Sequence, residues 1–149
     1  MVGAHDTRCV EPQLHLRPRI MAASPFNWSD YLTLAVTLSN NTDEASRRSS
    51  ISRAYYSVYH TASDRAVSLG YTPPGRSEHA ALWSHYQSRP DSGCKKLGAI
   101  GFRMRRRRVE ADYHSVLPQI LANVLSQIAD ANNFANRLQH LPGHLPNYP

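Results

Sequence analysis

The stretch "SRAYYSVYHTASDRA", residues 52–66, lies at the centre of a long helical pattern. Apolar residues recur through it at steps of three and four, which is the spacing of one face of an α-helix. This apolar stripe consists of Ile51, Ala54, Tyr55, Val58, Ala62, Ala66 and Leu69. A second stripe with helical spacing is polar and consists of Arg53, Ser57, His60 and Asp64. The two stripes predict a helix from about Thr42 to Leu69, which Gly70 ends.

Shorter helical patterns flank this helix on both sides. Upstream, one predicted helical face carries Trp28, Tyr31, Leu32, Ala35 and Leu38. Asn41 and Glu44 then have the spacing of a capping box at the start of the long helix. Downstream, a firm loop at Pro73-Pro74-Gly75 precedes a third predicted helix at residues 76–88, with Ser77 as its N-cap. One face of that helix carries His79, Leu82, Trp83 and Tyr86.

The second half of the chain has one weak and one strong helical pattern. The segment from Lys95 to Arg108 has helical spacing, but Gly98 and Gly101 weaken the prediction of a helix there. The last helix has a regular apolar seam of Leu121, Val124, Ile128, Ala131, Ala135 and Leu138. Pro118 lies near its start, where proline is tolerated, and Pro142-Gly143 is predicted to end it.

No segment shows the strict alternation that is typical of a β-strand. We therefore predict an all-α fold, an up-and-down bundle of four to five helices, for a domain that spans residues 25–141. Residues 1–24 are predicted to be a disordered or loosely ordered N-terminal tail, and residues 142–149 a C-terminal tail. Met1 and Met21 are both candidate translation starts, because organised sequence begins just after Met21.

Composition and charge limit the classes of function. The 149 residues carry a net charge of +6 and the sequence pI is about 9.7, a balance that favours polyanionic partners. Cys9 and Cys94 are far apart and form no CxxC pair, so we predict free thiols in a reducing, cytoplasmic compartment. No apolar run approaches the ~20 residues that a membrane span needs, and no secretory signal core is present, so we expect no membrane association.

Three segments carry motifs in a defined order: "RRSSISRAYYSVYHTA" (residues 47–62), "RSEHAALW" (76–83) and "RRRRVEADYH" (105–114). Together they resemble the HEPN family, in its tyrosine-pair helix, its short histidine-containing segment and its Arg-x-x-Ala-Asp-Tyr element. The resemblance implies a helical bundle that dimerises through its long helices, as a homodimer or in a larger assembly. Many members of that family are metal-independent ribonucleases, including toxins of toxin–antitoxin pairs and effectors of phage defence. Others lack catalysis and bind a partner, so the alternative is a non-catalytic module that binds nucleic acid, a nucleotidyltransferase-like antitoxin encoded nearby, or a defence complex.

The resemblance also implies a catalytic arginine that a histidine follows after four to six residues. Arg108 and His114 have this spacing, with Arg107 as a helper, and Pro118 favours a place for His114 in the turn before the last helix. Histidine can move protons to and from ribose oxygens near neutral pH, and arginine can stabilise extra charge on a phosphate. Such a pair needs no metal or other cofactor. The expected products are a 2′,3′-cyclic phosphate and a 5′-hydroxyl.

The other candidate residues each have two interpretations. The run Arg103, Arg105, Arg106 and Arg107, with Arg108, is either an RNA-binding patch or a solvated edge. If all five arginines contact phosphates, log K should fall with log salt at a slope of about −3.5 for single strands. The remaining candidates either line a cleft or dimer interface or have a purely structural role in the fold. They are Arg53, Tyr56, Tyr59, His60, Asp112 and Tyr113. Tyr55, on the apolar stripe, is predicted to belong to the core.

We predict no metal site, because Pro142-Gly143 separates the best-spaced histidines, His140 and His144.

Overall fold

A computed structural model describes residues 25–141, which form five α-helices. They are α1 (Ser29–Ser39), α2 (Glu44–Ser68), α3 (Glu78–Gln87), α4 (Ser92–Tyr113) and α5 (Ile120–Gln139). Within these residues there is no β-strand, so the predicted all-α class is confirmed. The predictions for the two tails, for Cys9, for Met21 and for Pro142-Gly143 lie outside the described residues. No helix in the described part of the chain is both long and apolar enough to cross a membrane.

Helix α2 is the centre of the bundle and contacts all four other helices. Its neighbours α1 and α4 run antiparallel to it. Ala35 accepts a hydrogen bond from Ser50, whereas Trp28 at the other end of α1 reaches Asp64. Helices α2 and α3, however, run in the same direction, because Tyr55 contacts His79 whereas Ala62 contacts Tyr86 further along both helices. The alternating up-and-down order is therefore broken at the connection between α2 and α3. Residues 69–77 return along α2, so that α3 starts again beside the earlier part of that helix.

The apolar stripe predicted for α2 is its buried face, with one exception. All of its members from Ile51 to Ala66 are buried, but Leu69 is 43% exposed, because it follows the last helical turn. Gly70 ends the helix with φ of +96°, and Tyr71 N–H then bonds back to Ala66 O at 2.9 Å, which completes a Schellman motif. The predicted capping box is wrong, since Asp43 is the N-cap and its carboxylate accepts from Ser46 N–H at 2.8 Å.

Helix α4 is continuous, although two glycines had weakened its prediction. A Cβ at position 101 would lie 2.7 Å from Trp83 Cε2, and closer still to two other carbons of the same indole. At position 98 a Cβ would lie 2.9 Å from both the Gln87 backbone nitrogen and the Trp83 carbonyl oxygen. The two glycines therefore allow α3 to approach α4 closely, and this packing compensates for their poor helix propensity.

The buried face of α5 is rotated from the predicted seam. Val124, Ala131 and Leu138 are buried as predicted, but Leu121 is 47% exposed. Gln127 and Phe134 are buried instead. The Gln127 amide donates to Ile51 O at 3.2 Å and to Met104 O at 3.1 Å, so it bonds backbone groups of α2 and α4 in the core. These bonds explain why a polar residue lies on the packed face.

Candidate functional site

Arg108 of α4 lies where two of the three sequence segments meet. Its Nη2 donates a hydrogen bond to the Tyr56 hydroxyl, and its guanidinium carbon lies 5.0 Å from the centre of the Tyr56 ring. Arg108 Nε is 3.0 Å from Asp112 Oδ2, an ion pair within one helical turn. The Ser52 hydroxyl, on α2, lies 3.4 Å from the same carboxylate oxygen. The "SRAYY" and "RVEADY" segments therefore form one connected polar cluster.

His79 brings the third segment to the same place. The Tyr55 hydroxyl lies 2.8 Å from His79 Nδ1, and the Trp83 indole N–H donates to that hydroxyl at 3.1 Å. The imidazole also stacks on the Tyr59 ring at 3.9 Å between ring centres, and it meets the Tyr56 ring edge-on at 5.9 Å. His79 is not among the site residues that the sequence predicts. The available signal was its place on the same predicted helical face as Trp83.

The charge state of His79 follows from these surroundings. Burial, followed by the positive charges of Arg108 and Arg105, lowers the pKa of His79 to about 4. The imidazole is therefore neutral at physiological pH. Burial also raises the pKa of the Tyr55 hydroxyl, which stays protonated. The site thus combines cationic arginines with a neutral histidine and a neutral tyrosine.

The polar stripe of α2 faces α1 and is not simply solvated. His60 stacks on the Trp28 indole with 3.8 Å between ring centres, and Trp28 Nε1 donates to Asp64 at 3.1 Å. The Arg53 guanidinium lies between two tyrosines, 4.9 Å from the Tyr31 ring centre and 5.4 Å from that of Tyr56. Such cation–π contacts hold the Arg53 charge in position at the surface. Burial lowers the pKa of His60, although the Asp64 carboxylate partly opposes this effect.

An open groove of about 610 Å³ adjoins this cluster between α1, α2 and α4. One wall is apolar and includes Leu34 and Leu38, whereas the opposite side carries Ser52, Arg53 and Asp112. The groove thus places an apolar wall near a polar side that carries a hydroxyl, a guanidinium and a carboxylate. The groove therefore extends the site from Arg108 towards α1.

His114 lies at the C-cap of α4, in the turn predicted for it, and is exposed. Its backbone is fixed at both ends, because its N–H bonds to Glu110 O at 3.0 Å and its carbonyl accepts from Arg48 Nη1 at 2.6 Å. Arg48 Nη1 also donates to Ala111 O at 2.8 Å and so caps the helix from α2. Among residues 25–141, no hydrogen bond or ion pair joins the side chains of Arg108 and His114.

The arginine run divides between different faces of α4. Arg103 and Arg107 both pair with Asp130 of α5, with shortest distances of 2.6 Å, so one carboxylate already binds both cations. Arg106 is exposed and lies 4.0 Å from Glu110. Arg105 is half-exposed, and its charge acts on Tyr55 and His79. Arg105, Arg106 and Arg108 therefore remain the arginines of the run that Asp130 does not bind.

The other candidates have structural explanations. Tyr55 is fully buried, which confirms its predicted place in the core, and Tyr59 is buried against His79. Asp112 pairs with Arg108, which is a structural role, but Tyr113 is 73% exposed and does not pack in the bundle. Cys94 is a buried free thiol. No group of three or more metal-ligating side chains is present in the described residues.

No protein-family model, curated protein or solved structure matches the chain.

Proposed function

We propose that this protein is a metal-independent endoribonuclease of the HEPN type that works as a homodimer. The observation that supports the proposal is the meeting of the three resembling segments at one cluster. In this cluster Arg108 is the cation, and the Tyr56 hydroxyl accepts a hydrogen bond from it. The neutral imidazole of His79 lies against the Tyr56 ring. These contacts join residues more than twenty positions apart, so they do not follow from local sequence spacing alone.

In the proposed reaction, His114 moves protons and the arginines stabilise charge. An exposed imidazole can accept the proton of a ribose 2′-hydroxyl, which then attacks the adjacent phosphorus. Arg108 stabilises the additional negative charge on the phosphate oxygens. A second imidazole, from the other protomer, protonates the leaving 5′-oxygen, so the bond breaks to give a 2′,3′-cyclic phosphate and a 5′-hydroxyl. The dimer is part of the proposal because one protomer provides only one His114.

The test is cleavage of end-labelled RNA in EDTA by the wild-type protein and two histidine variants. His114→Ala should abolish cleavage. The matched control is His140→Ala, because His140 is also exposed but follows α5, where its ring bonds to Asn136 O of the same helix at 2.6 Å. Cleavage should survive EDTA and persist in the control. Equal cleavage by all three proteins would indicate a contaminating nuclease and overturn the proposal.

A toxin or phage-defence role is the biological setting that we propose for this activity. Expression of the wild-type chain should then arrest growth of a bacterial host, and the His114→Ala variant should relieve the arrest. Growth that is equally poor with both proteins would argue against an RNA-cleaving toxin.

A second candidate function is a non-catalytic module that binds RNA or a partner protein, such as a nucleotidyltransferase-like antitoxin. The observation in its favour is the Arg108–Asp112 ion pair, which neutralises the proposed catalytic cation within its own helix. In this case the cluster would hold α2 and α4 together. RNA binding without cleavage, or a stable partner that copurifies from the native host, would favour this function.

A further inference from the structure

His79 links the buried aromatic core to two partly buried arginines of α4, Arg105 and Arg108. On its inner side, the Nδ1 atom lies 2.8 Å from the Tyr55 hydroxyl, and Tyr55 and Trp83 are both fully buried. On its flanks, the ring contacts Tyr59 and Tyr56. The imidazole is therefore held by packing on two rings and by a hydrogen bond from the core. Its orientation is set by the fold before any ligand arrives.

The hydrogen-bond network also determines which nitrogen of His79 carries the proton. An indole N–H can only donate, so the Tyr55 oxygen accepts the hydrogen bond from Trp83. The hydroxyl proton of Tyr55 must then go to His79 Nδ1, since otherwise a buried O–H group would lack an acceptor. Nδ1 is consequently the acceptor, and the single proton of the neutral ring is on Nε2. Two buried side chains thus fix His79 as an Nε2–H hydrogen-bond donor.

The charges that act on His79 are all of the kind that attracts an anion. Arg108 and Arg105 lower its pKa after burial and are both cations, whereas no carboxylate is among the groups that act on His79. Arg108 and His79 lie against the same ring, that of Tyr56. Arg105 has no hydrogen bond or ion pair to any residue between 25 and 141, so its charge is available. Arg108 Nε is paired with Asp112 and its Nη2 donates to the Tyr56 hydroxyl, so Nη1 is the Arg108 nitrogen left for a ligand among residues 25–141.

We propose that His79 Nε2–H, Arg105 and Arg108 together bind one phosphate group of an RNA strand. His79 donates a neutral hydrogen bond to a non-bridging oxygen, and the two arginines supply the positive charge. The role differs from that of His114, because His79 keeps its proton throughout. The RNA identity of the ligand rests on the proposed function, but the phosphate site itself does not.

The first experiment is imidazole ¹H–¹⁵N NMR of the full chain. In the free protein, the His79 signals should report the Nε2–H tautomer and should not titrate between pH 6 and 8. Three ligands are then added separately: inorganic phosphate, adenosine monophosphate and a short oligodeoxynucleotide. The oligodeoxynucleotide lacks the 2′-hydroxyl and cannot be cleaved by the proposed reaction, so binding is measured without turnover. We expect a saturable shift of His79 Nε2, with no shift of the control ring His140.

The three ligands distinguish the source of the phosphate. A shift with the oligodeoxynucleotide at a much lower concentration than with inorganic phosphate supports a nucleic-acid backbone site. Equal affinity for all three supports a site for free phosphate and overturns the assignment to RNA. An Nδ1–H tautomer, or no shift with any ligand, would overturn the phosphate site altogether.

Variants provide a second measurement. His79→Gln and Arg105→Gln should each weaken oligodeoxynucleotide binding about tenfold, whereas Arg76→Gln, an exposed control before α3, should not. Tyr55→Phe removes the acceptor of the indole N–H and the donor to Nδ1, so the His79 ring should lose its preference for the Nε2–H tautomer. If Tyr55→Phe unfolds the chain, the effect of Arg105→Gln on oligodeoxynucleotide binding still tests the phosphate site. Failure of RNA cleavage with retained oligonucleotide binding would disprove the proposed function and leave this site intact.

Discussion

The Gly101→Ala substitution should destabilise the protein, although alanine is the better helix former. The added Cβ would lie 2.7 Å from Trp83 Cε2 and nearer to two other indole carbons, whereas favourable carbon–carbon contacts are about 3.5–4.0 Å apart. The indole would have to withdraw by at least about 1 Å. It is fully buried and packs against Phe134 and Tyr55, so no free space receives it. The contact between α3 and α4 is therefore the part of the core that this substitution strains.

The size of the effect can be worked out from two opposing contributions. Overpacking of a core costs about 1–3 kcal/mol, and a rigid ring with no room to move belongs at the upper end. Alanine returns about 1 kcal/mol of helix propensity. We therefore expect a net loss of about 2 kcal/mol in the free energy of unfolding, measured by urea denaturation with far-UV circular dichroism. Because Trp83 bonds to Tyr55, the displaced indole should also weaken phosphate binding at His79.

The control for this prediction is Ala99→Gly, at an exposed position on the same helix. Only the change in helix propensity contributes there, so the free energy of unfolding should fall by about 1 kcal/mol. If Gly101→Ala proves as stable as the wild-type protein or more stable, α3 and α4 are further apart than described. The explanation of both glycines by close helix packing would then be wrong.

Three further predictions concern charge. Asp130→Asn should cost about 2–3 kcal/mol of stability, because it leaves Arg103 and Arg107 without their shared carboxylate. Burial raises the Asp130 pKa, but the two arginines outweigh it, so this stabilisation should be present above about pH 4 and be lost on further acidification. His79, with a folded pKa of about 4, should make stability fall between about pH 6.5 and 4 by at most about 1.4 kcal/mol per pH unit, and His79→Gln should reduce the observed slope to the part that His60 and His85, whose pKa values burial also lowers, contribute. Binding of single-stranded RNA should follow log salt with a slope of about −1.4, as for two phosphate contacts, one shared by Arg105 and Arg108 and one at Arg106, and a slope near −3.5 would contradict the pairing with Asp130.

Local sequence patterns predict the helices well. They fail to predict the burial or packing of a residue where its partner lies on another helix. The stripe from Ile51 to Ala66 is correct because helical spacing alone determines which side chains share a face. At Gly101 the local sequence indicates only poor helix propensity, since nothing in that segment shows that Trp83 lies against it. Gln127 is absent from the predicted seam because its backbone partners Ile51 and Met104 belong to other helices.

The same distinction applies to the candidate site. Arg108 was selected from spacing and resemblance, but its partner Tyr56 lies on another helix and could not be paired with it from sequence. His79 was missed because an isolated histidine on an apolar helical face gives no sign of its hydrogen bonds. Its importance comes from the relay through Tyr55 and Trp83, which only the packing of α2 against α3 creates.

The geometry of an α-helix explains why the arginine run does not act as one patch. Successive residues are about 100° apart around the helix axis, so five arginines in six positions must face several directions. Arg103 and Arg107 are four steps apart, within about 40° of each other, and both therefore reach Asp130 on α5. Arg105 and Arg108 are three steps apart, within about 60°, and lie on the side of α2 and α3. A linear cluster of charge is thus divided between a bridge that fixes α4 to α5 and a pair that is available to an anion. Counting the arginines in the sequence overestimates how many of them can bind phosphate at once.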